Sequence, residues 1–466
     1  MRYVPDRDKW RVWRDGHWRD DVIGDRWSIA IAVARATHLE AEAFFAGENA
    51  DDGKHHTATP RDKAHAWAHR SESRAALSAA LALASTLPPI AAPAATWDAE
   101  PRWLGVPGGV VDLATGRRRP AYPTDLISRV TRADPDLATP AATLEWSEYL
   151  RWASGTDPVT GSADASWMDW IQVALGMSVA GRSANSADLF VFCHGGGANG
   201  KSTVLGAAAH ALGAYARIVP GTLIVETTGE RHPTELTTLE GVRLAVIDET
   251  ERNKRLDESK LKMLTGGLPI SARGMGQNFY EFDPTHTLWI SGQHRPRITG
   301  TDAGIWRRVQ LLPWDAQLPP GECDPGRRAE VRDTLQHAVL AWLIDGARWW
   351  YDTHELPWCP RVTAATQSYR QDEDMLAEFW DDRCDLSSPT ARTTKSALRD
   401  SLRAWCLDHD LHPLSDRAVH AEMDRHGVTE YRSVVGDTRE RGWLGLRLLP
   451  APAPASRTEW HRAYDR

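Results

Sequence analysis

Short apolar runs separated by amphipathic stretches predict an α/β protein. Strand-like runs occupy residues 189–193, 244–247 and 285–291. Runs of this length, followed by turn or charged residues, favour buried strands. Between residues 144 and 179, apolar side chains return at three- and four-residue steps, a spacing that predicts helices. We therefore expect a helical segment followed by a core of buried strands.

The amino-terminal residues predict a small hairpin. Trp10, Trp13 and Trp18 surround the dipeptide Asp15-Gly16, which favours a two-residue turn with positive φ values. The tryptophans could stack on nucleic-acid bases. Packing around the turn explains them more simply, so we assign them no site.

The residues near the carboxyl terminus predict a winged helix. Helical patterns at 397–407 and 416–426 precede strand-like runs at 431–435 and 443–449. Two helices followed by a β-ribbon are typical of that DNA-binding fold. Four arginines of the ribbon could contact DNA or form its solvated face, and both interpretations stay open. They are Arg432, Arg439, Arg441 and Arg447.

Composition limits the partners and the compartment. The 466 residues carry a formal net charge of −8, so the whole molecule offers no attraction to a polyanion, and any nucleic-acid contact must come from local basic positions. The five cysteines form no CxxC pair, which disfavours a zinc ribbon or disulfide framework and favours a reducing cytoplasm. No apolar run is long enough to cross a membrane.

The most specific motif is GGGANGKST at residues 195–203. It lies between the apolar run 189–193 and a helical run that ends near Gly213. Its spacing fits a phosphate-binding P-loop, in which glycines let backbone N–H groups turn toward phosphates. A glycine-rich turn before a helix is the alternative, but the strand before and the helix after favour the P-loop. The sequence therefore predicts a site for ATP and Mg²⁺.

Each residue of the motif has a predicted role in that site. Lys201 neutralises the β- and γ-phosphate oxygens, and the Ser202 hydroxyl binds Mg²⁺. The positive end of the following helix faces the anion. The predicted nucleotide-binding residues are Gly195, Gly196, Gly197, Ala198, Asn199, Gly200, Lys201, Ser202 and Thr203.

An acidic pair follows the apolar run 244–247, as in a Walker B strand. We assign Asp248 to the metal and Glu249 to the base that polarises the attacking water. Without the P-loop, an ordinary strand that ends in a charged turn would explain the pair better. With the P-loop present, the pair predicts the catalytic acids of an ATPase.

Two further features fit the same chemistry. Gln293 follows the run 285–291, and a side-chain amide there could reach the γ-phosphate and the water if that strand lies between the other two. Arg307 and Arg308 come shortly afterwards. An arginine near a subunit surface can stabilise charge on a neighbour's γ-phosphate. A surface arginine pair without that role remains the alternative.

These segments together resemble a known family. GGGANGKST, LAVIDETE, LKMLTGGLPISAR, LWISGQHRPRI and GTDAGIWRRVQLLPW are similar, in order and spacing, to the helicase part of phage, plasmid and poxvirus-type primase-helicases of helicase superfamily three. The resemblance implies an AAA+-like ATPase that forms a hexameric ring, binds ATP between subunits and moves along single-stranded DNA. It assigns Lys201 and Ser202 to Walker A, Glu249 to Walker B, Gln293 to the sensor position and Arg308 to the arginine finger, with Arg307 as a second candidate.

The resemblance also implies where DNA binds. Residues 264–273 match the segment that leads into a channel-facing hairpin, so Arg273, Gln277 and Asn278 are expected close to the DNA backbone. Such phosphate contacts are independent of base sequence and sensitive to salt. Gln277 replaces a basic residue common in the family's hairpin, so Lys260 and Lys262 could supply the missing charge.

Two other positions depart from the family pattern. The usual sensor is asparagine where this chain has Gln293, which keeps the amide but lengthens the side chain. The family often has an acid after the paired glycines, whereas Leu268 stands there in this chain.

With the resemblance, the sequence predicts a P-loop AAA+-like ATPase core, mainly helical flanking domains and a C-terminal winged helix. The predicted segments are an N-terminal α+β domain (1–143), a helical segment (144–185), the ATPase core (186–316), a helical extension (317–390), the winged helix (391–450) and a disordered tail (451–466). Residues 1–143 carry no evident cluster of metal-binding carboxylates, so we expect a separate primase or polymerase to make primers.

Three functions remain open at this point. The first is a replicative DNA helicase of phage or plasmid type, acting in a bacterial host on single-stranded or forked DNA. The second is a replication initiator that marks an origin and uses ATP to control assembly. The third is a packaging or partitioning ATPase, which the order of the motifs disfavours.

Overall fold

The computed structural model separates the chain into two compact units, Met1–Thr366 and Gln367–Arg466. The described residues are 1–45, 60–157, 160–181, 188–226, 233–248, 256–276, 278–296, 298, 303–318, 326–373, 375–409, 419–420, 423, 426–435 and 438–450.

The first unit begins with a three-stranded antiparallel sheet and three helices. The predicted hairpin is confirmed, because β2 and β3 pair through a turn in which Asp15 and Gly16 have φ values of 50° and 79°. Trp18 lies in a small core with Val4 and Trp97, which supports packing as the role of that tryptophan. The elements are β1 (Arg2–Val4), β2 (Lys9–Arg14), β3 (His17–Asp20), α1 (Asp25–Phe45), α2 (Pro60–Ser71) and α3 (Arg74–Ala84).

A second antiparallel sheet and two helices connect this region to the core. A tight turn at Pro107 and Gly108 joins β4 to β5, and Gly108 has a φ of 69°. The helical pattern of residues 144–179 forms two helices, capped at their amino ends by the side chains of Thr139 and Asp164. The elements are β4 (Trp103–Val106), β5 (Gly109–Asp112), β6 (Arg117–Pro120), α4 (Pro140–Ala153) and α5 (Ala165–Ala180).

The centre of the first unit is a five-stranded parallel sheet in the order β13-β7-β12-β9-β8. Its central strands β7 and β12 are almost wholly buried and mostly apolar, as expected when helices cover both faces, whereas the edge strand β8 is partly exposed. The elements are β7 (Phe190–His194), α6 (Lys201–Leu212), β8 (Ala216–Pro220), β9 (Leu244–Asp248), α7 (Glu258–Thr265), β10 (Ile270–Ala272), β11 (Tyr280–Phe282), β12 (Thr287–Gly292), α8 (Ala303–Trp306) and β13 (Val309–Pro313). The mixed α/β fold with this sheet agrees with the predicted fold class.

Helices after the sheet complete the main core. The elements are α9 (Arg327–Thr334), α10 (Gln336–Thr353) and α11 (Pro360–Glu373). Helix α10 packs directly on α5 at a crossing of two glycines. A Cβ built on Gly176 would lie 2.1 Å from the carbonyl carbon of Gly346, and one on Gly346 would lie 2.2 Å from the carbonyl oxygen of Gln172. The two backbones therefore touch, and only glycine fits at either position.

The described residues of the second unit after Glu373 form two helices, a three-stranded antiparallel sheet and a short two-stranded sheet. The sequence predicted one strand over 443–449, but Gly445 has a φ of 93° and divides it into the ends of β17 and β18. The predicted helix 416–426 lies mostly outside the described residues, so the winged helix stays a prediction. The elements are α12 (Met375–Arg383), β14 (Cys384–Asp385), β15 (Arg392–Thr394), α13 (Lys395–Asp408), β16 (Thr429–Val435), β17 (Thr438–Leu444) and β18 (Arg447–Leu448).

The boundary between the two compact units lies after Thr366. The sequence placed a domain boundary later, between 317–390 and 391–450. Phe379 and Trp380 of α12 share a buried cluster with Trp405 and Trp443, and β14 pairs with β18. Residues before 391 therefore fold with the carboxyl-terminal unit, because their aromatic side chains are buried there. The helical pattern alone did not reveal that partner.

The glycine crossing generates a stability prediction. Gly176→Ala should destabilise the protein by about 1–3 kcal/mol, because the added methyl group must push α10 away from α5. Gly206→Ala is the matched control. Gly206 lies within helix α6, and a Cβ there meets no atom within 4 Å. Alanine is also more favourable than glycine in a helix by about 0.5–1 kcal/mol. Thermal unfolding should show a lower midpoint for the first variant alone; equal midpoints would contradict the crossing.

Candidate functional site

The candidate site lies where the parallel strands end. Residues at the carboxyl ends share one register, because Gly292 of β12 and Pro313 of β13 both pair with His194 of β7, and Ser291 pairs with Asp248 of β9. In open parallel sheets the loops that follow these ends form the ligand-binding crevice. The loop of residues 195–200 starts at the centre of this edge, directly after β7.

The loop has the backbone that a polyanion site needs. Gly197, Ala198 and Gly200 have φ values of 95°, 46° and 87°, and positive φ values let successive N–H groups point into one concavity. Gly200 is the residue that precedes helix α6, whose amino terminus adds a positive dipole end. The segment can therefore hold phosphate oxygens through its main chain.

Gly195 fixes the base of this loop against β13. A Cβ at Gly195 would lie 2.2 Å from the carbonyl oxygen of Trp314 and 2.4 Å from Nδ2 of Asn199. The Asn199 amide also donates a 3.0 Å hydrogen bond to that carbonyl. The glycine at the first position of the motif is thus required by a close backbone approach from the neighbouring strand.

Lys201 lies over the centre of the loop. The side chain is nearly buried, at 5% exposure, and Nζ donates to the carbonyl oxygen of Gly195 at 2.8 Å and to Oδ1 of Asn199 at 2.9 Å. These two acceptors hold the ammonium group at the mouth of the concavity. A cation in that position favours an anion there.

The titratable groups behind the loop add no negative charge. Burial lowers the pKa of His194, with the nearby cations Arg295 and Lys201 acting in the same direction, so the imidazole stays neutral at pH 7. Burial raises the pKa of the Cys193 thiol to about 12. Lys201, Arg295 and the helix end therefore supply the positive charge near the loop, and Asp315 is the nearby negative charge.

Gln293 occupies the predicted place in the sheet. Strand β12 lies between β7 and β9, as the sequence required, and Gln293 follows it directly. A Cβ at Gly197 would lie 3.5 Å from Nε2 of Gln293, so the amide stands beside the apex of the loop. Asp248 is the last residue of β9, which puts its main chain at the same edge. Glu249 lies outside the described residues.

The two candidate finger arginines have different surroundings. Arg308 is 8% exposed; its Nη2 donates to Oδ2 of Asp188 at 2.9 Å and its Nη1 to the carbonyl oxygen of Gly304 at 2.6 Å. This placement departs from the expectation that Arg308 reaches a neighbouring subunit, because its guanidinium is turned into its own chain. Arg307 is exposed.

A short hairpin stands at the predicted DNA-contacting segment. Strands β10 and β11 pair antiparallel, and the guanidinium of Arg273 lies 4.9 Å from the ring of Phe279. Met275 and Phe279 are 82% and 60% exposed, and Asn278 is exposed as well. Gln277 lies outside the described residues. The sequence interpretation missed Phe279, although an aromatic residue in a polar turn was a visible signal.

The hairpin is tied to the amino-terminal region through Tyr280, the residue of β11 next to the turn. Glu240 accepts hydrogen bonds from Arg7 at 2.7 Å and from the hydroxyl of Tyr280 at 2.9 Å, and the Arg7 guanidinium lies 3.7 Å from the Tyr280 ring. Burial and the Glu240 charge raise the pKa of Tyr280 to about 12, so it remains a donor. The other proposed cations, Lys260 and Lys262, are half-buried on α7.

Two aromatic residues beside the loop were not singled out from the sequence. Burial raises the pKa of Tyr149, whose hydroxyl lies near Thr203 of α6. A Cβ at Gly200 would lie 3.1 Å from that hydroxyl and 3.1 Å from a ring carbon of Trp152. Both residues are on α4, one turn apart, so their spacing was a signal. The residue that they contact, Gly200, could not be predicted, because it depends on how α4 packs beside the loop and α6.

Comparisons with known proteins identify relatives in viruses. The family described as D5 N terminal like matches residues 1–171, and a family of unknown function, DUF5906, matches residues 193–308. A putative helicase of Acanthamoeba polyphaga mimivirus is 27% identical over 218 residues, which is 45% of this chain and 21% of the relative.

Two further relatives extend the match. A putative primase of African swine fever virus is 24% identical over 321 residues, covering 64% of this chain and 32% of the relative. A putative helicase of Frog virus 3 is 24% identical over 286 residues, covering 57% and 28%. The matched region thus spans about a third or less of these relatives. The bacterial host stays a prediction.

Among solved structures, the apo form of the NrS-1 C-terminal region is similar with a TM-score of 0.41 and 10% sequence identity. The similarity covers 71% of this chain and 80% of that chain. In the described part of this chain, no helix has both the length and the apolar character needed to cross a membrane.

The loop geometry predicts which glycine controls anion binding. Gly195→Ala should weaken binding of inorganic tripolyphosphate roughly tenfold to a hundredfold, because the methyl group displaces the loop from Trp314. Gly196→Ala should stay within about twofold of wild type, since a Cβ there meets no atom within 4 Å. Isothermal titration calorimetry measures both. Equal affinities for the two variants would mean that the loop does not hold the anion.

Proposed function

We propose a motor function for this chain, which belongs to the family of phage and viral primase-helicases. The chain hydrolyses ATP and uses the energy to move on single-stranded DNA and separate duplex strands during replication. It works as a homo-oligomer, a hexameric ring in this proposal, with a separate primase or polymerase as partner. The relatives named helicase support the motor; one relative is named a primase.

One observation carries the proposal. The positive-φ loop, with Lys201 at its mouth, lies at the same sheet edge as Gln293 and the end of the strand that carries Asp248. An ATPase needs a polyanion cradle, acidic residues and a polar group that senses the γ-phosphate in one place. The sequence scatters these residues over about a hundred positions, and the parallel sheet brings their main chains together.

The chain's own residues divide the work in this way. The loop amides and Lys201 bind and orient the phosphates, and Gln293 contacts the γ-phosphate and the attacking water. Glu249 accepts the proton of that water. Ser202, which is half-buried at the start of α6, and Asp248 supply hydroxyl and carboxylate oxygens of the kind Mg²⁺ prefers. Mg²⁺, when bound, neutralises charge on the phosphates.

The proposed trans-acting finger is Arg307. A finger must leave its own subunit and reach a neighbour's γ-phosphate, and Arg307 is exposed whereas Arg308 is paired with Asp188. Arg308 supports Arg307 indirectly, because its bonds to Asp188 and Gly304 fix the turn between α8 and β13. The adjacent arginines thus have one structural and one catalytic role.

DNA is bound by the β10–β11 hairpin. Arg273 supplies a cation for phosphate, and the exposed Phe279 ring beside it offers a surface for base stacking. Asn278 is exposed at the same tip. Such contacts tolerate any base sequence, as a moving helicase requires.

A second candidate function has one observation in its favour. Arg432 of β16 stands directly opposite Arg441 of β17, and both are exposed. Like charges in directly opposed positions destabilise a sheet, and a bound polyanion relieves that repulsion. The carboxyl-terminal unit of a replication initiator would use such a ribbon to hold duplex DNA at an origin.

The motor proposal predicts how two variants separate binding from hydrolysis. Lys201→Ala should weaken ATP binding at least about tenfold, because a charge-assisted contact to the phosphates is lost. Glu249→Gln should bind ATP normally but lower DNA-stimulated hydrolysis by about 10²–10⁴-fold. ATP titration, phosphate release and displacement of a labelled strand from a forked DNA measure these effects.

The same measurements decide between the candidates. Strand displacement by the wild type that is lost in both variants supports the motor. An initiator would bind its DNA site and displace no strand in any form. Unchanged ATP affinity of Lys201→Ala would contradict the phosphate loop itself.

Replacing Arg307 and replacing Arg308 should affect different properties of the protein. Arg307→Ala should keep its thermal stability and ATP affinity but lose about 10³–10⁵-fold in hydrolysis. Arg308→Ala should lower the unfolding temperature, since a nearly buried guanidinium and its ion pair are removed. Mixing Arg307→Ala with Lys201→Ala protein should restore part of the activity, because one protein supplies the finger and the other the intact loop. No recovery on mixing, with rings formed, would argue against a finger acting between subunits.

A further inference from the structure

A cavity of about 610 Å³ opens next to the glycine loop. Its walls are the end of α4, residues 155–156 and 161–163 between α4 and α5, and residues 315–317 after β13. Cavities of roughly this size hold small ligands such as nucleosides. The side chains that line it include Glu148, Arg151, Trp152, Ser162, Asp315 and Gln317.

The walls of the cavity are held in place by hydrogen bonds and ion pairs of one arginine, Arg361. Arg361 donates to Oδ2 of Asp164 at 2.8 Å, to the carbonyl oxygen of Ser154 at 2.7 Å and to Oδ2 of Asp315 at 2.7 Å. Its side chain is only 15% exposed. The guanidinium thus joins the segment before α5 to the segment after β13, so the cavity is a formed feature of the fold.

The cavity lies on the flank of the loop that faces away from the catalytic residues. On one flank, Gln293 approaches Gly197, and β12 and β9 follow on that side of β7. On the other flank, Trp152 approaches Gly200, and β13 lies on that side. The nitrogen of Leu318, just after the cavity residue Gln317, donates to the carbonyl oxygen of Ala198.

This arrangement gives a bound triphosphate a direction. If the γ-phosphate meets Gln293, the chain of phosphates runs along the loop toward Gly200 and Thr203. The α-phosphate and the nucleoside attached to it then leave the loop beside Trp152. The cavity is therefore at the position where the base and ribose emerge.

We infer that the cavity receives the nucleoside part of the triphosphate, with the indole of Trp152 as the stacking surface for the base. The inference rests on the proposed function, since it assumes that the loop binds the phosphates. Trp152 is half-buried, lies against Gly200 and is one of the residues that line the cavity. An aromatic ring in this position attracts any base through its π-face. Trp152 is a specificity-determining residue for a nucleotide over a bare polyphosphate.

Packing is the other role open to Trp152, and the experiment separates the two. The full-length protein is titrated with a slowly hydrolysed ATP analogue and with inorganic tripolyphosphate, both with Mg²⁺. Wild type should bind the nucleotide more tightly than tripolyphosphate. Trp152→Ala should weaken nucleotide binding roughly tenfold, the effect of losing one base–aromatic contact, while tripolyphosphate binding stays unchanged. Trp152→Phe should restore most of the loss.

A second variant tests the cavity without touching Trp152. Ser162 is exposed and lines the cavity, so Ser162→Trp should fill the space and weaken nucleotide binding by a similar or larger factor, again without affecting tripolyphosphate. Trp67→Ala is the matched control, because Trp67 is 55% exposed on α2 and does not line the cavity. It should bind both ligands like wild type.

The outcomes distinguish this inference from the proposed function. If wild type binds tripolyphosphate as tightly as the nucleotide, or if both cavity variants bind the nucleotide like wild type, the nucleoside is held elsewhere and the phosphate loop survives. If Trp152→Ala weakens both ligands equally, the tryptophan only supports the loop, which overturns the inference. If wild type binds neither ligand, the proposed ATPase fails together with it.

Discussion

The contact between the glycine loop and the end of β13 is the constraint on which the candidate site depends. The Trp314 carbonyl oxygen leaves no room for a Cβ at Gly195 and accepts the Asn199 amide. Asn199 in turn holds Lys201, so the position of the cation is set by a neighbouring strand. Because β13 is the last strand of the sheet in sequence, the loop reaches this arrangement only when the whole sheet has formed.

Much of the local structure could be predicted from the sequence, because it follows from local chemistry. Apolar runs gave the strands, Asp15-Gly16 the hairpin turn, and the glycine-lysine motif a loop between strand and helix. What could not be predicted depends on tertiary partners. Arg307 and Arg308 are equivalent in sequence, and only the position of Asp188 separates the buried from the exposed one. The break at Gly445 and the Trp152 cavity wall likewise required the packed chain.

Some arginines of the first unit are buried and therefore not available to a polyanion. Arg243, at 4% exposure, donates hydrogen bonds to the carbonyl oxygens of Val179 and Trp103. Its guanidinium also lies 4.7 Å from the centre of the Tyr215 ring. A buried guanidinium is tolerated because its donors are satisfied by main-chain acceptors. Such residues count toward the formal net charge of the chain but place no positive charge on its surface. In the proposed function, contact with DNA is left to positions such as Arg273, which is half-buried in the turn of the β10–β11 hairpin.

The hairpin that carries Arg273 is connected to the amino-terminal sheet as well as to the core. Its strand β11 holds Tyr280, which shares Glu240 with Arg7, a residue in the turn between β1 and β2. Tyr280 stays protonated over the physiological range because burial and Glu240 raise its pKa to about 12, so this connection does not loosen with ordinary changes of pH. A displacement of the hairpin therefore has to break the Glu240 contacts or carry the amino-terminal sheet with it. The region matched by the D5 N-terminal-like family is in this way mechanically continuous with the proposed DNA-binding element.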